Sequence, residues 1–178
     1  MKGSGEGGVY TTAADVTTFW GALFAGSIQA AVDDPPNTAE LIDRGFHSVY
    51  DLAGQKLPTA QTGIVVQTPF ISAKREAMQR YIDSLVEAVA YMKKNKAQTV
   101  TIMKKYFNAD PAAKGFEEAV EFYGSEALAA LPYPKPELFA AAQETLGASN
   151  QAVKSLDVKT MLDDSFVKSA ADRALDKK

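Results

Sequence analysis

Few side chains in this 178-residue chain could do chemistry, and they stand apart from one another. The chain has one histidine and no cysteine, which removes disulfides, thiolate nucleophiles and zinc–thiolate sites together. His47 has no acidic partner at ligand spacing, so it reads as a structural or merely exposed histidine. Any Ser-His-Asp triad would have to pass through it, and no nucleophile-elbow pattern accompanies it. Asp163-Asp164 are adjacent carboxylates, but their place ahead of Ser165-Phe166 suits helix capping better than paired acid–base work. The expectation is therefore no catalysis, no cofactor and no metal. The run Asp33-Asp34-Pro35-Pro36-Asn37-Thr38 is different. Two prolines stiffen a turn there, short polar side chains follow it, and a helix beginning at that point presents free N–H groups to a ligand. Gln61-Thr62-Gly63 is a second polar stretch, where glycine lets a backbone approach closely. The competing reading of both is a capped turn and a plain loop.

The elements that would position these residues can be read from periodicity. Val16, Phe19, Trp20, Leu23 and Phe24 recur at helical spacing over residues 13–25, and Gly26 stops the helix. Residues 28–33 read as a short apolar strand. Pro35 or Pro36 then opens a helix, with Asp34 as its N-cap and Gly45 as its C-terminal stop. Residues 46–52 have strand character, 54–61 are loop, and Ile64-Val65-Val66 form a third strand that Pro69 ends. In open α/β sheets ligands sit beyond the carboxyl ends of strands, which places the Pro-Pro turn at a binding position.

From Ser72 onward the pattern is helical. Met78, Ile82, Leu85, Val89 and Met92 make one apolar stripe on a helix running to about Lys94. Val100, Met103, Tyr106 and Phe107 mark another helix. Asp110-Pro111 reads as an N-cap and first position of a helix carrying Phe116, Val120 and Tyr123 on one face. The aromatic residues Phe116, Phe122, Tyr123 and Tyr133 read mainly as packing. The prolines at 132, 134 and 136 force an extended crossing, a helix over 136–146 ends at Gly147, and Asp157 and Asp164 are capping candidates for two closing helices. Residues 1–8 are Gly-rich with no apolar h-region, so they read as a flexible leader or scar rather than a secretory signal.

The charge balance is 19 Lys and Arg against 22 Asp and Glu, net −3, which argues against a nucleic-acid or anionic-membrane surface. The Lys pairs at 93-94, 104-105 and 177-178 read as solvated helix faces. No apolar run reaches the roughly 20 residues of a bilayer span.

WGALFAGSIQAAVDDPP, RGFHSVYDLA, TGIVVQTPFI, REAMQRYIDSLVEAVAYMKKNK, EFYGSEALAALPYPKPE and LDVKTMLDDSFVKSA follow one another in unbroken order across roughly Asp15 to Ala171. This series resembles the C-terminal part of an ABC-transporter solute-binding protein of the SsuA/NMT1/THI5-like group, the periplasmic receptors for sulfonates, nitrate and thiamine-precursor pyrimidines. The resemblance implies an α/β fold. It would be a partial type II periplasmic-binding architecture, a few-stranded sheet followed by a helix-rich C-terminal half. In that organisation residues 1–12 are leader, 13–68 the α/β part of a ligand-binding lobe, and 69–178 a helical part returning to the other lobe.

The same resemblance implies a small organic solute bound without chemistry, a transporter permease as partner, and a periplasmic or extracytoplasmic location. The ligand-binding candidates it carries over are Thr17 and Thr18, Asp34 and Asn37 at the Pro-Pro turn, Thr62, and Tyr123. Anion-binding members carry small neutral residues before the proline pair. Asp33 and Asp34 here compete for the field an anion would use, which favours a neutral or cationic solute. The cysteine-rich motif of the related THI5 synthase is absent. Much of the first lobe is expected to be missing. The alternative reading follows from that: a non-transport scaffold or homo-oligomerising fragment, for instance a homo-dimer, that covers the missing lobe with another copy.

Overall fold

The computed structural model describes residues 13–27, 29–30, 32–34, 36–51, 53–56, 58–60 and 63–178. They divide into two units, with the boundary between Asp34 and Pro35. In the first unit helix α1 spans Ala13–Phe24. Its end follows from Gly26, whose φ of +74° a residue with a Cβ rarely adopts. Gly26 N–H donates to Leu23 O at 3.1 Å and Ser27 N–H to Ala22 O at 2.8 Å, the paired bonds that close a helix over a left-handed residue. Leu23 is buried, and the Trp20 ring stacks on Phe24 and meets Phe19 edge-on.

The second unit is built from helices and helical turns. Helix α2 (Asn37–Asp43) is followed by a 3₁₀ turn at Ala53–Gln55, then by α3 (Thr68–Ala73), α4 (Arg75–Lys94) and α5 (Lys96–Tyr106). Helix α6 (Phe116–Phe122) widens into a π turn at Tyr123–Ala127. A 3₁₀ turn at Pro136–Phe139 leads into α7 (Ala140–Gly147), then α8 (Gln151–Lys154), a 3₁₀ turn at Val158–Met161, α9 (Ser165–Asp172) and a final 3₁₀ turn at Leu175–Lys177. Gly45 closes α2 as Gly26 closes α1: its N–H bonds Ile42 O and Phe46 N–H bonds Leu41 O. Asn108, with φ +51°, does the same for α5 through Lys105 O and Lys104 O.

The α/β expectation is overturned: no strand or sheet occurs among the described residues. Of the three expected strands, residues 46–51 and 64–66 are described, and neither lies beside a second extended segment in a ladder. Ile28, Ala31 and Leu52 lie outside the described residues. The physical reason is general. β-branched and aromatic residues favour a strand only once a neighbour completes the backbone pairing and covers a face. Helices satisfy their backbone locally and need no such neighbour.

Helix α4 carries the packing. Val86, Ala170 and Leu175 form one core, with Ile82 and Leu131 against it; Val100, Phe116 and Val120 form another, with Met92, Met103, Ala109 and Ala113. Ala90, Ala119 and Ala170 are almost completely buried, so these small side chains let backbones approach closely. The expected α4 stripe is partly corrected. Met78 is buried, but Val86 and Ala90 complete the core face while Leu85 is 38% exposed. Helix α9 and the C-terminal turn pack on α4 from the side that carries Asp83 and Glu87, which rotates the buried face toward them.

Three helix starts also differ from expectation. The N-cap of α2 is Pro36 rather than Asp34, and no side chain caps it. Asp110 makes a tight turn, its carboxylate accepting from Ala112 N–H at 2.7 Å, and α6 begins only at Phe116. The delay follows from Gly115, which precedes α6 at φ +83°. At the start of α9, Asp163 and not Asp164 supplies the capping oxygen, to Ser165 N–H at 3.0 Å. Asp157 caps its 3₁₀ turn as expected, accepting from Lys159 N–H.

Polar contacts fasten α9 to α4. Arg173 grips the Asp83 carboxylate with both terminal nitrogens, at 2.6 and 2.7 Å. The Gln79 amide donates to Asp83 Oδ1 at 2.8 Å and to Phe166 O at 3.0 Å. The Arg75 guanidinium lies 4.5 Å from the Phe166 ring centre and donates to Ser165 Oγ at 2.7 Å. Lys178 reaches Glu87 at 2.8 Å, and Lys94 donates to Lys178 O at 2.6 Å.

The Arg173 hydrogen bond holds the Asp83 carboxyl below its ordinary pKa, burial opposing it and Gln79 adding to it. Because folding depresses this pKa, the stabilisation is complete above the unfolded-chain value of about 4 and is lost as pH falls through the folded value. Asp83→Asn should therefore cost about 1–2 kcal/mol at pH 7, part of Arg173 being solvated. Urea titrations of both forms at pH 7 and pH 3 check this: the gap between them should narrow at pH 3. Gly115→Ala should cost about 2 kcal/mol or more. Its backbone is left-handed, and a Cβ there would stand 2.5 Å from Pro36 O. The shift of the urea midpoint measures it.

Candidate functional site

The residues expected to touch a ligand occupy both units. Thr17 and Thr18 are consecutive, exposed positions within α1. Asp34 is exposed at the end of the same unit, its N–H bonded to Asp33 Oδ1 at 2.9 Å. Asn37 is the exposed first residue of α2, and Thr38 beside it keeps a buried hydroxyl with no hydrogen-bond partner. Tyr123 is half-buried where α6 passes into its π turn, its ring 5.2 Å from that of Phe122 and edge-on to it. Thr62 and Gln61 lie outside the described residues, as do Pro35 and the expected leader at 1–12. No strand precedes Asp34 among the described residues, so the Pro-Pro turn does not stand at the carboxyl end of one as expected. His47 is exposed.

The described surface also has a groove of about 680 Å³ where α5 meets the turn leading to α6. Val100, Thr101, Lys104, Asn108, Pro111 and Glu117 line it. Its shape follows from Asn108, whose left-handed backbone ends α5 and turns the chain back along the helix. Lys104 is largely covered and already engaged. It donates to Pro111 O at 3.0 Å, pairs with Glu117 at 3.6 Å and lies 5.8 Å from the Phe116 ring centre. Thr101 spends its hydroxyl on Ala97 O at 3.2 Å. Lys104 and Glu117 pair on the groove wall, and Lys105 adds a second lysine to a lining otherwise made of apolar and neutral side chains.

Sequence reasoning missed the polar cluster that joins the chain's distant parts. Asp83 and Arg173 stand 90 residues apart, and no local pattern announces such a pair. A nearer signal existed for Asp163, one residue from the expected cap. The Ser165 hydroxyl and N–H hold its carboxyl below the ordinary range, with Arg75 adding to the effect and burial opposing it. Glu121 is likewise lowered, by hydrogen bonds from Lys96 and Ser125. Each of these carboxylates has an assigned structural partner, the pattern of ion pairs that hold elements together rather than of a poised acid and base. No group of three or more His, Asp and Glu side chains among the described residues could hold a metal ion. No described helix is long and apolar enough to cross a membrane.

Compared with family models, with curated proteins and with solved structures, the chain finds no match. The likeness to the solute-binding group therefore stands on the residues quoted for it alone.

Proposed function

We propose that this chain is the helix-rich portion of the solute-binding component of an ABC uptake system, binding a small organic molecule without covalent chemistry. The observation that carries the reading is the ordered series of resembling segments from Asp15 to Ala171. Several of those segments are also the ones on which the second unit depends. REAMQRYIDSLVEAVAYMKKNK supplies α4, and LDVKTMLDDSFVKSA supplies the Asp157-capped turn and most of α9 packed on α4. Asp33 and Asp34 ahead of the proline pair direct the reading to a neutral or cationic solute, because carboxylates repel an anion at short range.

A ligand that binds the folded chain raises its melting temperature by mass action, with about 2.7 kcal/mol of added stability at a hundredfold excess over Kd. A thermal-shift screen against amines, amino acids, pyrimidines and sulfonates should yield a binder from the neutral or cationic classes. Calorimetry on that binder with Asp34→Ala should show affinity weakened by about 1–3 kcal/mol if the Asp34 carboxylate accepts its hydrogen bond. A panel that leaves the melting temperature unmoved throughout overturns the solute-binding reading. An unchanged affinity removes Asp34 from the site.

A further inference from the structure

The feature that the two cores of the second unit leave out is the segment at residues 63–67, Gly-Ile-Val-Val-Gln. Neither turn nor bend interrupts it, and it enters α3 through Gln67 at φ −72° and ψ 139°, extended values. Among the described residues no hydrogen bond reaches the backbone of 63–66. Solvent exposure alternates along it: Val65 is 93% exposed, while Ile64 is 42% exposed and Val66 half-buried. That is the period-two pattern of a strand with one face turned to the protein. A Cβ added at Gly63 meets nothing within 4 Å, so the face of the segment that Gly63 shares with the exposed Val65 is open.

Two further facts decide what would fill that space. An extended run of free N–H and C=O groups is matched along its length only by another extended chain. Natural proteins guard such edges with charge, with lysine above all. Here no charged residue occurs from Leu57 to Ala73. A neutral β-branched strand does not repel its own copy. An antiparallel pair centred on Val65 sets Ile64 against Val66 of the other copy and Gly63 against Gln67, so one sequence supplies both sides.

We propose that residues 63–67 are a self-complementary pairing edge through which two copies of this chain associate as antiparallel strands about Val65. The inference is independent of the solute reading, since it needs neither a ligand nor the first unit.

Sedimentation velocity on the full chain over a range of concentrations tests it. The expected result is a reversible dimer whose amides at 64–66 exchange more slowly with solvent at high concentration than at low. Val65→Lys places like charges opposite each other at the two-fold axis and should raise the dimer Kd about tenfold or more. Val65→Thr keeps the branched, uncharged side chain and should leave the dimer in place. Val65 contributes almost no buried surface, so helicity and melting temperature of the monomer should be the same in all three proteins. Amide exchange on the unsubstituted chain gives the answer even where a variant fails to fold. A chain that stays monomeric to about 1 mM overturns the proposal, whatever foreign strand peptide it then takes up. A dimer indifferent to Val65→Lys and unprotected at 64–66 overturns it equally.

Discussion

The attachment of α9 and the C-terminal turn to α4 is the contact on which the second unit depends. Val86 is fully buried against Ala170 and Leu175, and the Asp83–Arg173 pair lies beside that seam. The two parts do different work. Burial of aliphatic surface supplies a non-directional attraction of about 25 cal/mol per Å². The bidentate ion pair, steadied by Gln79, is directional and rewards a single register of one helix on the other. Gln79 ties both effects together, because its amide bonds the Asp83 carboxylate and the backbone of Phe166 at once.

With α4 held on that side, its other contacts follow the chain. Helix α5 starts directly after α4, and its Val100 meets Phe116 and Val120 of α6 in a separate core. The passage between α5 and α6 is built from residues with special backbone conformations. Asn108 reverses the chain after α5, and Gly115 at positive φ admits it to α6 with Pro36 O close by. A helical body of this sort stabilises itself through local hydrogen bonds and side-chain seams, and owes nothing to a sheet.

The stretches that read as strands are where this self-sufficiency stops. Val49 and Val65 are each more than 90% exposed. A ligand or a second copy that lay against these residues would remove their apolar surface from water. The proposed solute and the proposed pairing edge are two separate ways in which such residues would be covered. They differ in whether a ligand or a second copy is the species that changes stability.

Helix positions and helix ends were legible from the residues alone. Gly26 and Gly45 stop their helices because glycine pays no steric penalty at positive φ, and the apolar spacing over 75–94 implies a long helix whatever surrounds it. Such signals act within one or two turns of chain, so sequence carries them in full. Capping by Asp157 belongs to the same class, while Asp163 displaced Asp164 by one residue because the choice turns on local geometry. The side of α4 that is buried was beyond reach, since it is set by Arg173 and Leu175 arriving from the far end of the chain. The strands were beyond reach for the converse reason. Residues 64–66 have the composition of a strand, but a strand exists only by hydrogen bonds to a neighbour, and only the tertiary structure decides whether that neighbour is there.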